Sequence, residues 1–88
     1  MKVEFRSSFA KDMHKVKDTA IKKQVAAVIA HAEQVNNPYE LEDLKKLKGA
    51  EGYYRIRIDD YRLGLIVDQD KIVFVRFLHR KDIYRYFP

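Results

Sequence analysis

The sequence predicts an α+β fold, with two N-terminal helices packed on one face of a small antiparallel sheet. The expected order is β-α-α-β-β-β, followed by a short C-terminal helical turn. Three observations carry this. Apolar residues recur at helical spacing between Phe9 and Val35, then alternate one-in, one-out from Tyr53 to His79. Breakers separate the two regimes: Asn36-Asn37-Pro38, Gly49 and Gly52. With 88 residues, 47% hydrophobic and 35% charged, the chain suits one globular domain over 1–88, built on one core.

Taken in order, "KVEFRSS" alternates with Val3 and Phe5 on one face and reads as a strand. Ser7 or Ser8 can cap a helix beginning at Phe9, where Phe9, Met13 and Val16 share a side. A second helix starts near Asp18 or Thr19 and gathers Ile21, Val25, Val28, Ile29 and Ala32 on one stripe. Pro38 cannot continue it. "YELEDLKKLKGAEG" reads as a connection anchored by Leu41, Leu44 and Leu47. Strands follow over Tyr53–Ile58, Tyr61–Asp68 and Lys71–His79, with tight turns at Asp59-Asp60 and Gln69-Asp70. Ile83, Tyr84 or Phe87 would pack the tail.

The absence of cysteine removes disulfides, thiolate metal sites and cysteine nucleophiles. No apolar run reaches membrane-spanning length, and "MKVEFRSS" lacks the hydrophobic stretch of a secretory signal. A soluble, unexported, cytoplasmic protein with no membrane partner is expected. The net charge of +5 favours anionic partners.

Where that charge sits is more telling. A two-residue turn at Asp59-Asp60 sets Ile58 opposite Tyr61, Arg57 opposite Arg62, Ile56 opposite Leu63 and Arg55 opposite Gly64. Tyr54, Ile56, Ile58, Tyr61, Leu63, Leu65 and Val67 then form the helix-covered face. Tyr53, Arg55, Arg57, Arg62 and Gly64 form the other. Like charges opposite one another disfavour a sheet, whereas guanidinium forks bind phosphate and aromatic rings stack on bases. Gly64 would leave room above the strand for a polyanion. A plain two-residue turn at Gln69-Asp70 would set Arg62 opposite Phe77 and bring His79 onto the arginine face. It would also turn Arg76 towards the core, which a one-residue bulge or an edge location would relieve. "FLHRKDIYRYF" supplies Arg80, Lys81, Tyr84, Arg85 and Tyr86 beyond the last strand.

"LKKLKG", "YYRIRIDDYRLGLIV" and "HRKDIYR" together resemble the RelE/ParE superfamily of toxin–antitoxin toxins. In its RelE branch the resemblance implies a ribosome-dependent, metal-independent mRNA endonuclease that needs no cofactor. It implies catalytic roles for Arg55, Arg57, Arg62, His79, Arg80 and Tyr84, with Tyr86 a poorer match than Tyr84. Arginine stands at 55 and 57 where that branch has basic residues, among them lysine, and guanidinium cannot act as a base. The implied partners are an antitoxin, mRNA in the decoding site and ribosomal RNA. Tyr53, Lys45, Lys46, Lys48, Lys81 and Arg85 are the expected RNA-binding residues, and Glu51 is an outlying candidate base. The ParE branch shares the fold and poisons DNA gyrase, so gyrase inhibition, or RNA binding without turnover, remain the alternatives.

Overall fold

In a computed structural model describing residues 1–88, β1 is Lys2–Phe5, α1 Ser7–His14, α2 Thr19–Gln34 and β2 Leu44–Lys46. Then come β3 (Tyr53–Ile58), β4 (Tyr61–Asp68), β5 (Lys71–His79) and α3 (Ile83–Tyr86). The sheet order is β1-β5-β4-β3-β2. Its neighbours are antiparallel except β1, which runs parallel to β5. A strand joined to the sheet through helices rather than a hairpin is free to take either direction.

The three long strands end where the alternation ends. Asp59 and Gln69 open the two tight turns in the left-handed region, at φ 54° and 56°. β2 is the strand the sequence did not disclose. Its three residues are too few to show alternation, and the pairing of Leu44 with Ile56 and Lys46 with Tyr54 creates it.

Asp18 caps α2, its carboxylate accepting the N–H groups of Ala20 and Ile21. The expected serine cap on α1 is not made. Arg6 holds that position, and Ser8 Oγ instead donates to the carbonyl of Val75 at 2.6 Å. Farther along α1, Asp12 accepts the N–H of Phe77 at 2.9 Å. α1 thus lies against β5 beyond the end of β1 and satisfies edge groups that would otherwise face solvent.

Phe9, Val16, Ile21 and Val25 from the helical layer bury the inner face of the sheet, meeting Ile56, Leu63, Leu65 and Phe74. The opposite face is not bare as expected. Leu47, Ile83 and Phe87 form a second, smaller cluster there, joined by Tyr53, Val75 and Leu78.

Candidate functional site

The β3–β4 register is the one the alternation requires, with Arg57 opposite Arg62 and Arg55 opposite Gly64. β2 extends the row, placing Lys45 beside Arg55. At the turn end of the face, Arg62 is half-buried and its Nη1 donates to the carbonyls of Asp59 (3.0 Å) and Tyr61 (2.9 Å). Those bonds fix the guanidinium while its Nε–Nη2 edge makes no hydrogen bond within the protein. That free edge is the one that takes a phosphate in bidentate fashion.

Burial lowers the Arg62 pKa, and the charges of Arg55, Arg57 and Arg80 lower it further, while Tyr84 acts in the opposite sense. Four arginines and a phenol therefore share one electrostatic neighbourhood. Arg80 is held near the turn by its N–H bond to the Asp60 carbonyl at 2.7 Å. Arg55 keeps a buried Nε with no partner. An unmet buried donor costs free energy unless a ligand supplies the acceptor.

Beside Arg55 lies a groove of about 380 Å³, lined among others by Lys45, Lys46, Lys48, Tyr84 and Phe87. Register turns Lys45 to the arginine side, whereas Lys46 is paired with inward-facing Tyr54. Tyr84 is 61% exposed on α3, with its ring at the groove. Lys81 and Arg85 are exposed beyond β5.

Three expectations need correction. β5 carries a bulge opposite Gly64/Leu65, which slips the register so that Arg62 faces Leu78 and Leu63 faces Phe77. His79 consequently pairs with Tyr61 on the helix-covered side, its ring edge-on to the Tyr61 ring at 5.8 Å. Its Nδ1 accepts the N–H of Lys81 at 3.2 Å. His79 does not join the arginine set. The same bulge takes Arg76 out of the core, where it meets Asp12.

Gly64, secondly, is not an open space. Phe87 fills it, and a Cβ there would lie 2.8 Å from the ring. Tyr53, thirdly, is half-buried, its ring packed at a 59° tilt against Phe87 with 5.4 Å between ring centres, so it does not stand open on the arginine face. Glu51 is exposed before β3, at the end of the hairpin opposite Arg62. Six residues of strand separate these ends by about 20 Å. The apolar wall formed by Leu47 and Phe87 was not expected of the site, since only the folded tail brings them together.

The fold and the arginine face define a small basic toxin of the RelE/ParE superfamily. Residues 3–84 match the family described as "ParE toxin of type II toxin-antitoxin system, parDE", and the chain belongs to it. Toxin RelE3 of Methanocaldococcus jannaschii is 45% identical over 89 residues, covering 100% of both chains. Among solved structures, the RelB-RelE antitoxin-toxin complex from Methanococcus jannaschii contains a chain matching with TM-score 0.83 and 42% identity. The match covers 97% of this chain and 99% of that one. A chain of the archaeal RelE-RelB complex from Pyrococcus horikoshii matches at TM-score 0.73 over 90% and 93% of the two chains. At 23% identity that likeness concerns the fold alone.

Proposed function

We propose that this toxin is a ribosome-dependent, metal-independent mRNA endonuclease, held in check by a cognate antitoxin. The observation that carries the reading is Arg62, oriented by two carbonyls and surrounded by Arg55, Arg57, Arg80 and Tyr84. In such a cleavage the 2′-hydroxyl loses its proton and attacks the adjacent phosphorus. The bond to the 5′ oxygen breaks, and that oxygen takes up a proton. The products are a 2′,3′-cyclic phosphate and a 5′-hydroxyl end.

Negative charge grows on the phosphorane oxygens, where preorganised donors stabilise the transition state more than the ground state. Arg62 and Arg55 supply those donors, and Arg57 and Arg80 raise the local positive potential. Tyr84 carries the hydroxyl best placed to move a proton or to stack on a base. Lys45, Lys48, Lys81 and Arg85 guide the backbone. An antitoxin partner is supported by the relatives, whose structures are antitoxin–toxin complexes. Ribosomes place the work in the cytoplasm.

Primer extension on mRNA from programmed ribosomes tests this reading. Wild type should cut in the decoding site, and Arg62→Ala should be slower by about a hundredfold with an unchanged circular dichroism spectrum. Intact mRNA with both proteins overturns the proposal. Gyrase inhibition is the second reading, favoured by the removal of His79 from the arginine face. It predicts blocked supercoiling by purified gyrase with mRNA left whole.

A further inference from the structure

One basic residue on the outer face of the sheet stands apart from the arginine set. Arg76 on β5 pairs with Gly64, and Gly64 with Arg55, so the three share one row and one side of the sheet. Phe87 lies over Gly64, between the two arginines. Arg76 is not left free for a phosphate. Its guanidinium turns around the β5 edge to Asp12 of α1, which takes Nε at 2.8 Å and Nη2 at 3.1 Å. Both carboxylate oxygens are used, and such a fork fixes the plane of the guanidinium as well as its position.

The same guanidinium reaches Tyr86. The ring centre lies 5.8 Å from Arg76 Cζ, within the range of attraction between a cation and an aromatic face. A chain of three side chains therefore runs from α1 across β5 to α3. α3 is a single turn of four residues, too short to hold its own shape, and Ile83 and Phe87 seat only its apolar side. Tyr84 and Tyr86 are both exposed, and residues two apart on a helix point about 200° apart. With Tyr86 over Arg76 at the β5 edge, Tyr84 points the other way, to the groove at Arg55. A roll of α3 that loses the first contact swings Tyr84 off the groove.

We propose that Asp12, Arg76 and Tyr86 form a strap from the helical layer to α3, and that Tyr86 is a positioning residue whose ring on Arg76 aims Tyr84 at the message. Asp12 anchors the strap and keeps Arg76 from competing for phosphate, while Tyr86 itself touches no RNA. The inference rests on the endonuclease reading, which gives Tyr84 its place in the reaction.

Tyr86→Leu and Tyr86→Phe test it, each alone and combined with Tyr84→Ala. Message cleavage on programmed ribosomes is followed at saturating toxin, together with the toxin concentration that gives half the maximal rate. Nuclear Overhauser contacts of the Tyr84 ring with the side chains lining the groove are recorded in parallel. Tyr86→Leu should cut about fivefold more slowly at an unchanged half-saturating concentration, since it removes one exposed contact between a cation and a ring. Tyr86→Phe keeps the ring face and should cut at the wild-type rate. On the Tyr84→Ala background, Tyr86→Leu should cause no further loss. The Tyr84 contacts should weaken in Tyr86→Leu and persist in Tyr86→Phe.

A Tyr86→Leu protein that cuts at the wild-type rate overturns the inference. So does a Tyr86→Phe protein that loses as much as Tyr86→Leu, because the hydroxyl rather than the ring is then what matters. An equal further loss on the Tyr84→Ala background also overturns it, by showing that Tyr86 acts independently of Tyr84. A wild type that cuts nothing sinks the endonuclease reading, and the Tyr84 contacts then decide. Weakened in Tyr86→Leu alone, they uphold the strap; unchanged, they end it.

Discussion

Tyr54 shows what one residue's alternation reveals and what it conceals. Its place in the core follows from the strand period, and it is 9% exposed. Its hydroxyl meets that of Tyr39 at 3.0 Å, a contact no local pattern announces because Tyr39 sits in the turn after α2. The hydrogen bond to Tyr39 raises the Tyr54 pKa, and burial and the charges of Tyr39 and Glu51 add to the rise. The folded state thus holds the phenolic proton more tightly than the unfolded chain. Its contribution to stability is complete below the ordinary phenol range near pH 10. It fades as pH climbs through the folded value. Tyr54→Phe should flatten the alkaline limb of urea-unfolding stability above about pH 10. An unchanged limb would mean the pair contributes nothing. Arg62 was legible for the same reason as Tyr54, since an alternating strand must turn it outward. The filling of Gly64 was not, because Phe87 approaches from the far end of the chain.

At the scale of elements, three strands matched their sequence bounds and two features escaped. β2 is held by pairing rather than by its own pattern. The β5 bulge is set by α1: Asp12 is 5% exposed and takes Arg76 Nε at 2.8 Å, Nη2 at 3.1 Å and the Phe77 N–H at 2.9 Å. One carboxylate therefore fixes where the strand slips, and with it the side on which His79 emerges. Hydrophobic spacing marks Asp12 only as a polar helical residue, so the slip was visible as an alternative but not decidable. Asp12→Ala leaves a guanidinium and an N–H short of their acceptor and should cost about 3 kcal/mol. Asp12→Leu/Arg76→Met removes both charges and should recover much of that loss. Urea denaturation of the two variants checks the pair. Equal losses in both would show that packing, not the ion pair, sets the cost.

Across the whole molecule the sheet is a partition with a large core on one side and a small one on the other. The larger joins helices to strands, while the smaller holds only Leu47, Ile83 and Phe87 with their half-buried neighbours. In 88 residues such an arrangement need not unfold as one unit. α3 carries Tyr84 to the groove, and its hold on the sheet is Ile83 and the Phe87 ring over Gly64. Phe87→Ala should therefore free the tail locally before it threatens the main core. In hydrogen exchange, the Phe87 amide, bonded to the Ile83 carbonyl at 2.8 Å, should lose protection while β4 and β5 amides keep theirs. Message cleavage should fall with it, because Tyr84 is no longer held beside Arg55. Gly64→Ala should act in the same direction by pushing the ring from its seat. The contrary result is also informative. If Phe87→Ala weakens every amide together, by about 3 kcal/mol, the two clusters unfold as one across the sheet. The tail is then part of the frame that positions the arginines, not a separable wall of the groove.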